Sequence, residues 1–308
     1  MRRKKLVSNI LLLLAAIVWG FAFAFQRAGA DFVGPLTFVA SRYILTSICL
    51  LILVLILDAV KRKKQENGLL PADDRTPEER KKGRRKILLS GCVCGCFLFG
   101  GSIMQQAGLS FTTAGKAAFI TAMYLLLVPI FGLFLRHKVR VVGWIGIACG
   151  AVGMYFLCIT ESFTIGRGDF IVLIGAVFWA CHVLFIDHFL KYVDPVKLAW
   201  AQFTVCAVIA TVCMFIFEDP SWAAIKACAV PIIYAGVMSG AVGFTLQIIG
   251  QKNTAPSVAV LLLSLESVFG VLGGVVLLHE TLAAREILGC ILLFAAVIVA
   301  QLPEKKTA

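Results

Sequence analysis

Ionisable side chains inside long apolar stretches are the residues of this sequence best placed to do chemistry. A charged group in lipid is costly unless it faces a bundle interior or water, so each one is a functional candidate. Glu266 is the only Asp or Glu near the centre of such a stretch. At helical spacing its face carries Ala259, Phe269, Gly270 and Gly273, and small residues are typical of helix contacts in membranes. The pattern predicts that Glu266 points inward, either as a functional group or as a hydrogen-bonded structural carboxyl.

Three further titratable residues share this setting. Arg42 lies about two turns into the second apolar stretch, where it would contact a substrate, pair with Glu266, or extend its long stem to the interface. Lys116 lies near the outer end of the fourth stretch, where its ammonium group reaches the interface more easily. His182 shares a helix face with Trp179, and it would serve as a proton relay, as a wall for a cation, or as a buried core residue.

Aromatic and amide side chains complete the candidates for a substrate or proton pathway. In the third stretch Gly91, Gly95, Ser102 and Gln106 lie roughly on one helix face, which suits tight packing or a cavity wall. The full set of candidates is Glu266, Arg42, His182, Trp179, Trp19, Lys116, Tyr124 and Gln106.

The cysteines do not indicate a metal site. The chain has 11 of them, almost all in apolar stretches, where cysteine acts as a small packing residue. Cys92, Cys94 and Cys96 stand closest together, but alternate residues of a helix do not share a face, and this is not the spacing of a zinc pair. We expect no metal and no cofactor.

These residues must be positioned by membrane-spanning helices. The chain is 60% hydrophobic, well above a soluble domain, and a span needs about 20 mostly apolar residues. We interpret Asp58 to Lys86 as a charged, solvated loop, and the signal-like amino terminus as an uncleaved first span. The ten predicted spans are 6–25, 36–57, 87–108, 114–135, 141–159, 170–190, 198–217, 227–250, 255–278 and 285–302.

Basic residues indicate the orientation of these spans. If the amino terminus is cytoplasmic, 23 of the 29 Lys and Arg residues lie in cytoplasmic segments. Only four lie outside, namely Arg27, Arg167, Lys226 and Arg285. This bias follows the positive-inside rule and predicts that both termini are cytoplasmic. The net charge of +12 therefore indicates span flanks rather than a nucleic-acid surface.

The two halves of the chain resemble each other. An offset of 160 pairs Ala16 with Ala176, Trp19 with Trp179 and Pro35 with Pro195. A second match sets 113–118 against 254–259, each followed by a long apolar stretch. Because each half has an odd number of spans, the halves enter the membrane in opposite orientations. We expect inverted five-helix repeats at 1–160 and 161–308, with a substrate site between them.

Two segments carry a family likeness. T-A-G-K-A-A-F-I-T-A-M-Y-L-L-L-V-P begins at Thr113, and T-A-P-S-V-A-V-L-L-L-S-L-E-S-V-F begins at Thr254. Together with Trp19-Gly20 and Arg42, they resemble the EamA-like branch of the drug/metabolite transporter superfamily. The resemblance implies two inverted five-helix repeats and the movement of metabolites, often outward. The chain departs from the family pattern at Ser267, where many relatives carry proline.

The sequence as a whole predicts an all-α integral membrane protein of the cell membrane. We expect a secondary transporter that exports an amino acid-like, anionic or zwitterionic metabolite and works by alternating access. A lipid or lipid-headgroup translocase of the same superfamily is the alternative, and a channel is a weaker one. An enzyme is disfavoured because the outer loops are short and the long loop lacks His, Cys and Ser. The expected partners are a small-molecule substrate and the lipid bilayer, with no nucleic acid, and the oligomeric state stays open.

The charge bias makes a topological prediction. Cysteines introduced near Gly34, Ser162 and Ser221 should react with an impermeant reagent added to intact cells, whereas cysteines within Asp58 to Lys86 should not. The native cysteines, measured in the unsubstituted chain, give the background. Labelling of the long loop in intact cells would overturn the orientation.

Overall fold

The computed structural model describes residues 2–71, 74, 76–112, 117, 120–134, 141–158, 166–270, 272 and 284–301. Within these ranges the regular structure is entirely helical. The helices whose bounds lie within them are α1 (Arg2–Gly29), α2 (Pro35–Glu66), α3 (Pro77–Leu109), α4 (Tyr124–Phe134), α5 (Val141–Cys158), α6 (Arg167–Phe189), α7 (Pro195–Phe217), α8 (Trp222–Ala227), α9 (Ala229–Ile233), the π-helix (Tyr234–Gly243), α10 (Phe244–Gln251), α11 (Pro256–Leu263) and α12 (Ala284–Gln301).

Six helices of the described chain are long and apolar enough to cross a membrane. They coincide with six of the predicted spans, and the other four predicted spans each contain a shorter apolar helix. This architecture is that of a multi-pass membrane protein. The six are Lys5–Gly29, Pro35–Glu66, Pro77–Leu109, Arg167–Phe189, Pro195–Phe217 and Ala229–Gln251, and the shorter four are Tyr124–Phe134, Trp144–Gly153, Pro256–Gly270 and Ile287–Ala296.

The polar connection between α2 and α3 is shorter than the sequence predicts. The prediction of a loop from Asp58 to Lys86 is too broad, because both helices continue into the charged segment and leave only 67–76 between them. Lys, Arg and Glu favour helix, so charge alone does not end one. Pro77 fits the first helical position, and Thr76 and Glu79 form a reciprocal capping box there.

The closely spaced cysteines of α3 do not share one environment. Cys94 is buried, whereas Cys92 and Cys96 are exposed on another side of the helix. This matches the expectation that alternate residues face different ways. Among the described residues there is no group of three or more His, Cys, Asp or Glu side chains that could hold a metal ion.

Helices of the two halves pack against each other reciprocally. α3 packs against α6 and α7, whereas the helix Ala229–Gln251 packs against α1 and α2. A Cβ atom placed on Gly101 of α3 would lie 2.8 Å from Cε2 of Trp179, and one placed on Gly243 would lie 2.5 Å from Nε1 of Trp19. Both glycines therefore give room for a tryptophan of the other half.

A second pair of glycine contacts repeats this relation seven residues further along the same two helices. Gly108 of α3 lies against the side chain of Val172 in α6, and Gly250 of α10 lies against that of Leu12 in α1. Leu12 and Val172 are 160 residues apart, as are the two tryptophans. Gly108 and Gly250 are 142 apart, as are Gly101 and Gly243. The same contacts thus occur twice. The glycines come from the first half and the side chains from the second in one case, and the reverse holds in the other.

The helices α2 and α7 are tied together at both ends by carboxylates. Glu218, which follows α7, accepts hydrogen bonds of 2.8 Å from the backbone N–H groups of Leu36 and Thr37 and one of 2.6 Å from the Thr37 hydroxyl. At the other end Asp58 of α2 forms an ion pair of 2.8 Å with Lys197 of α7. The two contacts are also equivalent by sequence. Thr37 corresponds to Lys197 and Asp58 corresponds to Glu218, each at a separation of 160 residues.

Close helix contact makes a prediction for two glycines of α3. A Cβ atom on Gly95 would lie 2.8 Å from the backbone oxygen of Gln202 and from Cβ of Val205, so Gly95→Ala forces α3 and α7 apart. We expect a loss of about 1–3 kcal/mol in the free energy of unfolding in detergent, the usual cost of overpacking. Gly83→Ala is the matched control, because nothing lies within 4 Å of its added Cβ.

Alanine in place of Gly83 should be neutral or slightly stabilising, since alanine is the better helix former. Equal thermal stability of the Gly95→Ala and Gly83→Ala proteins would contradict the packing described for α3 and α7.

Candidate functional site

A cavity of about 60 Å³ lies between helices of the two halves. A buried water needs about 10–15 Å³ measured in this way, so the cavity has room for a few water molecules. One part of its wall is aromatic, formed by Trp19, Phe23, Trp179 and Phe244. The polar part is formed by Gln26, Arg42, Tyr43, Gln105, Thr121, Tyr124, Ser239, Gln247 and Glu266.

Arg42 is held in this wall by a network of buried polar groups. Its side chain is 3% exposed, and its two Nη atoms donate hydrogen bonds to Oε1 of Gln26, at 2.8 Å, and to the hydroxyl of Tyr43, at 2.9 Å. The Tyr43 hydroxyl also lies 2.6 Å from Oγ of Ser102 in α3. The guanidinium carbon lies 4.5 Å from the centre of the Tyr43 ring. Two of the five guanidinium N–H groups thus donate hydrogen bonds, while Nε has no hydrogen-bond partner.

Glu266 faces the same cavity from the other half of the chain. Its side chain is 5% exposed, and the hydroxyl of Tyr124 lies 3.5 Å from its Oε1, the length of a weak hydrogen bond. No ion pair within 4.0 Å joins it to Arg42, although the structure describes both residues. The cavity thus holds a cation and a carboxyl group that are not paired directly with each other.

Breaks in two helices place Tyr124 and Glu266. The residues 122–123 form a turn just before Tyr124, and the residues 264–265 form a turn just before Glu266. In both turns a backbone N–H donates to the carbonyl oxygen three residues earlier, as in a 3₁₀-helix. Leu125 donates to Ala122 in the first turn, and Ser267 donates in the same way in the second. Tyr124 and Glu266 are 142 residues apart, so the breaks correspond in the two halves. Interrupted helices at corresponding positions are typical of transporter binding sites.

Both tryptophans line the cavity, but their indole N–H groups differ in hydrogen bonding. Nε1 of Trp19 donates a hydrogen bond of 3.1 Å to the carbonyl oxygen of Ser239, which lies in the π-helix. Nε1 of Trp179 is buried without a hydrogen-bond partner. The ring of Phe244 lies between them, with centroid distances of 4.6 Å to Trp19 and 6.1 Å to Trp179. The Trp179 ring therefore lines the cavity, while its Nε1 lies beside Gly101 of α3.

Two of the candidate residues lie behind the cavity wall. His182 is fully buried, and its Nε2 pairs at 3.0 Å with Oε1 of Gln202, in the manner of a core histidine. Gln106 donates a hydrogen bond of 3.1 Å to the backbone oxygen of Gln26 and so supports a residue of the wall. Lys116 lies outside the described residues. The other five candidates, Glu266, Arg42, Trp19, Trp179 and Tyr124, are brought together in the cavity.

Sequence reasoning missed several polar residues of the wall. Tyr43 and Gln26 hold Arg42, but a single Tyr or Gln in an apolar stretch is not distinctive by itself. Gln105 and Gln247 carry a signal, since they are 142 residues apart and both line the cavity. A repeat alignment extended through the third and eighth spans would therefore have predicted them as a pair.

Apolar helices around a buried polar cavity, with interrupted helices beside it, define the class of multi-pass membrane transporters. The model of the EamA-like transporter family matches this chain twice, at residues 6–159 and 166–301. The chain belongs to the EamA-like transporter family.

Two relatives agree with this assignment, and a solved structure shares the fold. An uncharacterized transporter of Archaeoglobus fulgidus is 28% identical over 303 residues, covering 97% of this chain and 87% of that protein. The uncharacterized transporter YoaV of Bacillus subtilis is 22% identical, covering 90% of each. A crystal structure of a protein with 17% identity superposes with a TM-score of 0.73 over 96% of both chains. The last similarity concerns the fold alone.

Proposed function

We propose that this protein is a secondary transporter of the cell membrane that exports a small anionic or zwitterionic metabolite by alternating access. The observation that carries the proposal is the cavity between the halves, which Arg42, Glu266 and the Trp179 ring all line. A guanidinium suits a carboxylate or phosphate, and a carboxyl group suits a substrate amine or a proton. The outward direction follows from the family resemblance.

The proposal includes ten spans arranged as two inverted five-helix repeats, at 1–160 and 161–308, with both termini in the cytoplasm. The double match of the family model supports the repeat. The paired glycine contacts of α3 and of the helix Ala229–Gln251 support it as well, because each half provides the same groove for the other. Because five is an odd number, the second half would enter the membrane from the opposite side, and the two repeats would be inverted relative to each other.

Alternating access is supported by the two carboxylate ties of α2 and α7. Equivalent groups hold opposite ends of the same helix pair, Glu218 with Thr37 at one end and Asp58 with Lys197 at the other. In an inverted repeat, exchanging the conformations of the halves exchanges the open and closed ends. The small volume of the cavity agrees with this, because a metabolite would need one end to widen before it could enter.

The charge of the substrate follows from an asymmetry between the halves. Arg42 corresponds at the 160 offset to Gln202, which pairs with His182 behind the wall. Among the described residues that line the cavity, positive charge therefore comes from the first half only. Unlike lysine, arginine keeps its charge in nearly any environment and presents a planar fork, so it favours an anionic group of the substrate.

The first prediction of this proposal concerns Arg42→Gln. We expect the variant to insert and fold, and to lose at least tenfold in affinity for substrate, because a charge-assisted hydrogen bond contributes about 1.5–3 kcal/mol. A thermal-shift screen of purified wild-type protein against carboxylate and phosphate metabolites identifies the ligand, and titration of the variant measures the loss.

Arg27→Gln is the matched control for charge, since Arg27 is exposed and paired with exposed Asp31. It should bind the same ligand as the wild type does. Unchanged affinity in a correctly inserted Arg42→Gln protein would show that Arg42 only anchors or packs its helix.

The second prediction is that protonation of Glu266 is coupled to transport. A carboxyl group exposed alternately to the two sides of a membrane can take up a proton on one side and release it on the other. Glu266→Gln preserves shape and most hydrogen bonding but cannot titrate. In proteoliposomes this variant should still bind and exchange substrate, whereas proton-driven accumulation and the pH dependence of exchange should be lost.

Asp31→Asn is the control, because it removes an exposed carboxylate that does not line the cavity and should leave accumulation unchanged. The proposal for Glu266 fails if Glu266→Gln accumulates substrate at the wild-type rate while substrate still dissipates an imposed pH gradient. Saturable flux with counterflow in the wild type would also separate a carrier from a channel.

A further inference from the structure

A second, larger cavity lies at the end of the bundle where α2 and α3 carry their charged turns. It is a groove of about 850 Å³ between the end of α2, the start of α3 and the turn that joins α6 to α7. Arg42 and Arg62 are 20 residues apart on α2, so the groove is about 30 Å from the central cavity along that helix. The groove is therefore separate from the proposed transport site.

Positive charge dominates the groove. Among the described residues that line it, five are cations, namely Lys61, Arg62, Arg80, Arg84 and Lys197, and two are carboxylates. Both carboxylates have partners already. Asp58 forms its ion pair with Lys197, and Asp194 accepts hydrogen bonds from the first backbone N–H groups of α7.

Three of these cations have no acidic partner in the described chain. Lys61, Arg62 and Arg84 are exposed, and none of them forms an ion pair within 4.0 Å with a described residue. They project from two neighbouring helices into one concave space. Like charges held together repel one another, so an anion in the groove would relieve repulsion as well as form charge-assisted hydrogen bonds.

The surface beside the groove is apolar on the side towards the membrane. On α2 the residues just before Asp58 include Leu55, Ile56 and Leu57, which are 58%, 54% and 45% exposed. On α3 the basic run is followed at once by Leu88 and Leu89, which are 63% and 59% exposed. The cations therefore lie at the level where the lipid-facing surface ends, which is the level of phospholipid headgroups.

We propose that this groove binds the headgroup of an anionic phospholipid, with the phosphate between Lys61, Arg62 and Arg84 and the acyl chains along the exposed leucines of α2 and α3. A soluble anion would use the cations alone, whereas a phospholipid uses the cations and the adjoining apolar surface together. Basic pockets between helices at the cytoplasmic face of a membrane have this character. The groove is at the end predicted to be cytoplasmic.

The test uses the full-length protein in a neutral detergent. Dioctanoyl phosphatidylglycerol is the probe, dioctanoyl phosphatidylcholine is the neutral lipid, and inorganic pyrophosphate is the soluble anion. Bound lipid is counted by native mass spectrometry and the thermal shift is recorded. We expect the anionic lipid to bind and stabilise the wild type, with weaker binding at higher ionic strength and little effect of the other two probes.

The variant Lys61→Gln/Arg62→Gln/Arg84→Gln should bind the anionic lipid about a hundredfold more weakly, since each basic residue near an anionic lipid contributes about fivefold. The matched control is Lys63→Gln/Lys64→Gln/Arg85→Gln. It removes the same charge from the same two helices, but at residues that do not line the groove. The control should bind as the wild type does.

Three results would overturn the proposal. Equal loss in the two triple variants would mean that the lipid responds to overall charge. Equal stabilisation by phosphatidylcholine would mean that the acyl chains bind without recognition of the headgroup. Stabilisation by pyrophosphate as strong as that by phosphatidylglycerol would assign the groove to a soluble anion. If the groove variant folds poorly, the wild-type protein still tests the proposal. Its binding of the three probes and the salt dependence of that binding are measured without any substitution.

Discussion

A charged group inside a membrane-spanning bundle must find its partners within the protein, and this constraint shapes the centre of the structure. Arg42 is held by the amide of Gln26 and the hydroxyl of Tyr43, and Tyr43 is held in turn by Ser102 of α3. Each member of this network occupies an otherwise apolar helix, where an unpaired polar group would be costly. The network therefore fixes α1, α2 and α3 relative to one another around the guanidinium.

The two halves share a scaffold and differ in their chemistry. Glycines at corresponding positions make room for Trp19 and Trp179, and interrupted helices occur at corresponding positions in both halves. At two polar positions of the site the halves differ. Arg42 is matched by neutral Gln202, and Tyr124 is matched by Glu266, to which it lies 3.5 Å away. The corresponding glycines and helix breaks surround the cavity, and the unequal pairs account for its charged groups.

The sequence predicted the helices well because hydropathy reports directly on membrane burial. It was less accurate for Asp58 to Lys86, because hydropathy cannot show that α2 and α3 continue as helices in water. Of the site, the isolated charges Arg42 and Glu266 were found because charge is rare in apolar stretches. Tyr43 and Gln26 were missed, since neutral polar residues are common there and their role depends on which helices touch. That information lies in the tertiary packing.

The carboxylate ties of α2 and α7 occupy equivalent positions but differ in strength. The ion pair of Asp58 and Lys197 is partly exposed, with 40% and 34% of the two side chains accessible, so solvent and salt weaken it. Glu218 instead accepts two backbone N–H groups and the Thr37 hydroxyl at a helix amino terminus, where the helix dipole also favours a negative charge. The end closed by Glu218 is therefore held more firmly. In the proposed orientation this is the outer end, so the resting protein would favour opening towards the cytoplasm, the side from which an exporter must take its substrate.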